Sequence, residues 1–192
     1  MRAGQTIRNR HSGETLTVLV SEAENHGARQ LYRVRLPARR QSPPLHYHLA
    51  FSETFTALDG KLDVYLGRER RHRQLLPGES VTAEIRQLHT FANCSDEPCT
   101  MTVETVPAGG VVKAFELAYG VANEGGAAKD GLPKNPIVRL RFIEISQGFL
   151  PGVPPGLQRA LFGAAALAAR LTGVEQRLRR YMSDEPDGMT DD

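Results

Sequence analysis

Up to Pro107 the chain alternates short runs rich in β-branched residues with tight clusters of turn formers, and this rhythm restricts the fold more than any other feature. The runs cover residues 15–20, 30–36, 54–58, 61–66, 80–85, 88–93 and 99–106. Asp59-Gly60 separates two alternating runs. Glycine reaches positive φ without steric cost, so this pair predicts a hairpin. Pro77-Gly78 and the segment from Ser95 to Pro98 predict further turns. Many short strands at this spacing call for a β-sandwich or barrel over residues 1–110.

Beyond Pro107 the pattern changes. Apolar residues at helical intervals predict a helix over 111–122, stopped by 123–126. Residues 135–147 read equally as helix (Ile137, Leu140, Ile143) and as strand (Val138, Leu140, Phe142). Residues 148–156 hold three prolines and three glycines and read as a linker. One long helix is predicted over 157–181, with Leu157, Leu161, Ala164 and Ala165, Ala168, Leu171, Val174 and Leu178 as its apolar stripe. Residues 111–182 thus form a helical C-terminal extension, expected to pack on the barrel or on a partner subunit. Residues 183–192 carry five carboxylates and no basic group, and are expected to be a disordered acidic tail.

Composition removes several function classes. The net charge of +2 argues against a nucleic-acid binder. No apolar run approaches the ~20 residues of a membrane-spanning helix. Residues 1–10 show no signal-peptide pattern, and two cysteines make no disulfide scaffold, so a cytoplasmic protein is expected. Cys94 and Cys99 could meet across a hairpin, but free thiols fit a cytosolic chain better.

The chemistry concentrates in two segments. His46 and His48 are two apart, so on a strand both imidazoles face one way. Glu53 has the opposite parity and joins them only if the chain is re-aimed near residues 49–51. His89 adds a third imidazole from a distant strand. Three neutral imidazoles and one carboxylate suit a divalent transition metal such as Fe, Mn, Ni, Cu or Zn.

The order His46-x-His48, four residues, Glu53, six residues, Gly60, and then Gly78, ten residues, His89, three residues, Asn93, resembles the two motifs of the cupin superfamily. Three turn positions depart from the pattern: Arg40 stands for the first glycine, and Glu84 and Arg86 stand for a proline and a glycine before His89. The opening at residues 7–14, Pro43-Pro44, residues 131–133 and residues 157–173 resemble a group of bacterial single-domain cupins with helical C-termini. The resemblance implies an all-β fold, the cupin double-stranded β-helix or jelly-roll barrel, with an α-helical extension. It also implies metal ligation by His46, His48, Glu53 and His89, and a homodimer. A polar barrel interior without metal is the alternative reading of the same four residues.

Phe55 and Phe91 share parity with Glu53 and His89 and line either the cavity or the core. Asn93 shares the face of His89, and Glu84 and Arg86 are placed near the barrel mouth as further cavity candidates. Tyr47 faces away from the histidine pair. His11, His26 and His72 sit among polar residues and read as solvated loop histidines. Arg68, Arg70, Arg71 and Arg73 lack interleaved aromatics for base stacking and read as a solvated hairpin turn. Two functions fit: a small-molecule metalloenzyme, oxygenase- or isomerase-like, and a non-catalytic small-molecule binding or sensing module. The fold alone does not choose between them.

Overall fold

The computed structural model describes residues 1–41 and 43–182. Its strands are β1 (Thr6–Arg8), β2 (Thr15–Val20), β3 (Gln30–Leu36), β4 (Arg40–Gln41), β5 (Tyr47–His48), β6 (Ser52–Asp59), β7 (Leu62–Leu66), β8 (Arg71–Leu75), β9 (Ser80–Ala83), β10 (His89–Asn93) and β11 (Cys99–Val106). After them come helices α1 (Val111–Asn123) and α2 (Pro136–Ile145), the short strand β12 (Gly148–Phe149), and helices α3 (Pro155–Leu171) and α4 (Val174–Arg179).

One antiparallel sheet has six strands in the order β1-β2-β3-β11-β6-β9, and another has four in the order β4-β10-β7-β8. In β3, Tyr32, Val34 and Leu36 are buried while Arg33 and Arg35 point to solvent. The same period-two alternation buries Met101 and Val103 on β11 and Phe55 and Ala57 on β6. These meet Leu62, Val64 and Phe91 of the second sheet in one shared core. Each such side chain removed from water contributes roughly 1.5–3 kcal/mol.

The expected closed barrel is not formed among the described residues. β6 bonds only β11 and β9, β10 bonds only β7 and β4, and no ladder joins the two large sheets, so the turn at Asp59-Gly60, with Gly60 at φ 71°, passes the chain from one sheet to the other and is not the hairpin expected. β9 stops at Ala83, and the turn at 84–88 carries the chain across to β10 in the other sheet.

The basic run is also not a turn throughout. The turn ends at Arg70, and Arg71 and Arg73 lie on β8, paired with β7. His72 is therefore a strand residue whose ring bonds the buried Asp63 at 2.7 Å, not a loop histidine. Burial alone would raise the Asp63 carboxyl, but bonds from His72, Cys94 and Gln74 hold it below its usual range. Both cysteines are free, with Cys94 exposed and Cys99 buried.

The ambiguous segment is helix because its start is capped. The Asn135 side chain accepts the amides of Ile137 and Val138 at 2.9 and 3.2 Å, and Pro136 fits the first turn. The 148–156 linker begins instead with β12, which pairs antiparallel with β5, Gly148 opposite His48. The long terminal helix is two helices, because Gly173 takes φ 72° and ends the first one. The predicted stripe largely faces outward: Leu157 is 54%, Leu161 46% and Leu171 80% exposed. Of the expected stripe Ala165 and Leu178 are buried; the rest of the buried face of α3 is one residue on, at Gln158, Phe162 and Ala169. Gln158 faces inward because its amide clamps the preceding loop, bonding Leu150 on both sides and Val153. The expected acidic tail, 183–192, lies outside the described residues.

α1 lies over the sheets. Val111, Val112, Ala118 and Tyr119 belong to the sheets' own core, and Asn123 ties the helix to the β1–β2 hairpin through Arg8 and Arg10. Leu117, Val138 and Leu178 join α1, α2 and α4 in a second apolar cluster.

Candidate metal centre

The two ligand-bearing segments are stitched together by their backbones. His46 N–H donates to His89 O at 3.1 Å, and His89 N–H donates to His46 O at 2.8 Å. After β5 the chain breaks from strand at residues 49–51 and restarts at Ser52. This break re-aims the chain, so Glu53 turns to the same interior as the histidines. The ligand-capable atoms of His46, His48, Glu53 and His89 lie within 4.8 Å of one another. His48, Glu53 and His89 are buried, and His46 is partly buried.

All three imidazoles are oriented by main-chain carbonyls. Nδ1 of His46 lies 2.9 Å from Pro44 O, Nδ1 of His48 3.0 Å from Gln147 O, and Nδ1 of His89 2.9 Å from Gln87 O. A carbonyl can only accept, so Nδ1 is the protonated nitrogen and Nε2 keeps its lone pair. The Nε2 of His89 stands 2.9 Å from Glu53 Oε2 and that of His48 stands 3.5 Å from it. His48 Nε2 is buried with no hydrogen-bond partner. Lone pairs converging on a buried carboxylate need a shared proton or a cation, and the three-imidazole, one-carboxylate set fits a divalent transition metal.

The electrostatics agree. Burial, reinforced by His89 and His48, pushes His46 down to about 3, so it stays neutral. Burial would raise Glu53, but the adjacent imidazoles of His48 and His89 outweigh it and hold the carboxyl well below its ordinary range. The Phe51 ring stacks on His48 with centroids 4.1 Å apart and fixes the imidazole plane.

Beside this quartet lies a cavity of about 230 Å³. Tyr32, Val34, Phe91, Met101 and Val103 wall it from the sheets. Phe115 and Tyr119 of α1 and Phe142 and Ile143 of α2 roof it. The helical segment therefore shapes the site, and Gln147, which follows α2, also orients His48. At the other end Arg40 pairs with Glu14 at 3.1 Å.

Of the candidate lining residues, Phe91 reaches the cavity. Phe55 is core, packed against the rings of Phe91 and His89. Asn93 holds a turn, donating to Pro37 O and Glu97 O at 2.9 and 2.8 Å. Glu84 and Arg86 do not line the cavity: both are exposed, because the turn that carries them runs over the outside. Arg86 takes φ 67°, the conformation a glycine would adopt there, and its amide donates to His48 O at 2.7 Å. The turn into His89 thus keeps its shape despite the arginine. Sequence reasoning missed Tyr119 and Gln147. Tyr119 was legible on the inner face of the predicted helix with Phe115 and Ala122, whereas Gln147 acts through its backbone and leaves no residue-type signal.

The family model for the cupin domain (Cupin_2) matches residues 32–105, the stretch that carries all four of these side chains. Residues 32–105 are a cupin domain. No curated protein matches this cupin. Among solved structures it is similar to KdgF from Halomonas sp. at 15% identity and TM-score 0.45, over 53% of this chain and 84% of that one. It is similar to a cupin sugar phosphate isomerase from Silicibacter pomeroyi at 22% identity and TM-score 0.45, over 56% and 70%. A third, TT1209 from Thermus thermophilus, has 23% identity and TM-score 0.39, over 42% and 74%.

Proposed function

We propose that this cupin is a metal-dependent enzyme, oxygenase- or isomerase-like, acting on a small organic anion, with His46, His48, Glu53 and His89 as the metal ligands. The observation that carries this reading is the orientation of three imidazoles by Nδ1–carbonyl bonds, which leaves their Nε2 lone pairs gathered around Glu53 beside a cavity. The bound ion, Fe, Mn, Ni, Cu or Zn, supplies Lewis-acid or redox chemistry. Glu53 supplies the single negative charge of the set, which leaves a positive site for an anionic substrate. The two sheets are read as the halves of a jelly roll.

The test is elemental analysis of protein purified without a metal-affinity column, beside His46→Ala. Near-stoichiometric transition metal that is lost in the variant is expected. No metal in either, with no stabilisation on adding any of the five ions, overturns the reading.

One observation supports the second reading, a non-catalytic binding or sensing module. Beyond the quartet, the charged side chains at the cavity are paired, Arg40 with Glu14 and Arg139 with Asp130, and none stands as a free base. Turnover that disappears in His89→Ala excludes that reading. We further read the protein as a cytoplasmic homodimer. The free thiols and the exposed leucines of α3 support this, no described helix is long and apolar enough to cross a membrane, and sedimentation equilibrium tests the dimer.

A further inference from the structure

The roof of the cavity holds one feature that the metal quartet leaves unexplained. Tyr119 lines the cavity and is 3% exposed, yet its hydroxyl has no hydrogen-bond partner among the described residues. A buried hydroxyl without a partner destabilises a folded protein, and phenylalanine would fill the same space without that cost. Groups of this kind persist at sites that receive something else.

The surrounding charges limit what that something is. Arg40, at the same end of the cavity, is held by Glu14 through two contacts, at 3.1 and 3.2 Å. Gly131 lies over this pair so closely that a Cβ there would stand 2.7 Å from Arg40 Nη2. Arg139 is paired with Asp130. Among the described residues this end therefore presents paired charges, Asn9, whose Oδ1 accepts from the His11 and Ser12 amides, and the Tyr119 hydroxyl. Burial, with the Glu14 charge nearby, raises the Tyr119 hydroxyl well above its ordinary value, so it remains a donor at neutral pH. Much of the remaining lining is apolar, among it Val34, Met101, Phe115 and Phe142, and the hydroxyl of Tyr32 is directed to Glu53 at 3.5 Å.

We propose that Tyr119 is a specificity residue: its hydroxyl donates to a neutral oxygen acceptor, a carbonyl or ether, on a small apolar acid or enol whose anionic oxygen faces His46, His48, Glu53 and His89. The ligand class is thus a keto- or alkoxy-substituted aryl or short-chain acid. This assignment rests on the metal reading of the quartet for its anionic end, and on Tyr119 alone for its acceptor end.

The test compares wild type with Tyr119→Phe in two ways. The first is thermal unfolding of ligand-free protein. Removal of the unpartnered hydroxyl raises Tm by about 2–4 °C in a chain of this size. A lowered Tm shows that the hydroxyl serves the fold, and overturns the proposal. The second is calorimetric binding of matched probes to zinc-loaded protein: the ortho, meta and para acetylbenzoates against the isopropenylbenzoates, which keep the shape and lack the acceptor oxygen. Wild type prefers the best acetyl isomer by about tenfold, and Tyr119→Phe binds both series equally. A preference that survives in Tyr119→Phe, or no binding of either series to zinc-loaded wild type, overturns the assignment. Metal content is measured on the same samples. Failure to load zinc sinks the quartet reading, while the Tm comparison still judges Tyr119.

Discussion

Gly109→Ala is expected to disable the proposed metal centre from outside it. Gly109 is buried against Phe51, and a Cβ built there would lie 2.2 Å from Cε1, 2.5 Å from Cζ and 2.6 Å from Cδ1 of the ring. Carbon atoms in contact sit about 3.5–4.0 Å apart, so the ring must retreat by more than about 1 Å. Phe51 is 1% exposed and has nowhere empty to go, and His48 is stacked on it at 4.1 Å. The displacement therefore passes to a ligand imidazole. Overpacking of this kind costs about 1–3 kcal/mol, and misplacing a ligand ring lowers metal affinity by about 10–100-fold. Urea denaturation of metal-free protein reads the first effect, and zinc competition against a chromophoric chelator reads the second. Phe51→Leu removes the ring edge that the new methyl strikes. Gly109→Ala with Phe51→Leu should then cost less than the sum of the two single changes by at least about 1 kcal/mol. Strict additivity, or unchanged zinc affinity in Gly109→Ala, refutes the proposed transmission through Phe51.

Three further outcomes follow from the geometry. Arg86→Gly, at φ 67°, is expected to stabilise the protein by about 1 kcal/mol in urea denaturation, since glycine adopts this conformation without strain; a destabilised variant shows that the Arg86 side chain contributes to folding. Metal-free protein should lose stability as pH falls from about 6.5 to about 3. His46 stays neutral in the fold through that window while the unfolded chain takes up a proton, a slope of at most about 1.4 kcal/mol per pH unit; His46→Gln should flatten the profile measured by urea midpoints, and an identical profile contradicts the assignment. Asp63→Ala should cost about 1–3 kcal/mol by thermal or urea unfolding, because it strips the buried acceptor from the Cys94 amide and from His72, and a loss under about 0.5 kcal/mol shows those bonds to be of no net value.

The strands of residues 15–20, 30–36 and 99–106 were legible to the residue, since alternating burial on one face of a sheet writes itself into a period of two. The four side chains that the structure brings together were legible as well, since two imidazoles two apart on a strand share a face and the types in the set suit one metal ion. The helix at Pro136–Ile145 could have been read from Asn135-Pro136, a cap followed by a first-turn proline, had that signal been weighed above periodicity. The stripe of α3 could not be settled that way. Leu157 and Leu161 on one face and Phe162 and Ala165 on the other are both apolar, and Gln158, polar by composition, is turned inward by its bonds to the loop before it.

The sequence by itself determined the β-rich core, the turn at Asp59-Gly60 and the choice of His46, His48, Glu53 and His89, because these depend on local pattern and side-chain type. Only the tertiary structure decided that the sheets stay separate, that β12 pairs with the ligand strand, and that α1 and α2 roof the cavity with Tyr119 inside it. Those features arise between segments distant in the chain, through backbone carbonyls, facing apolar surfaces and close approach at glycine. None of these is written in the type or spacing of neighbouring residues.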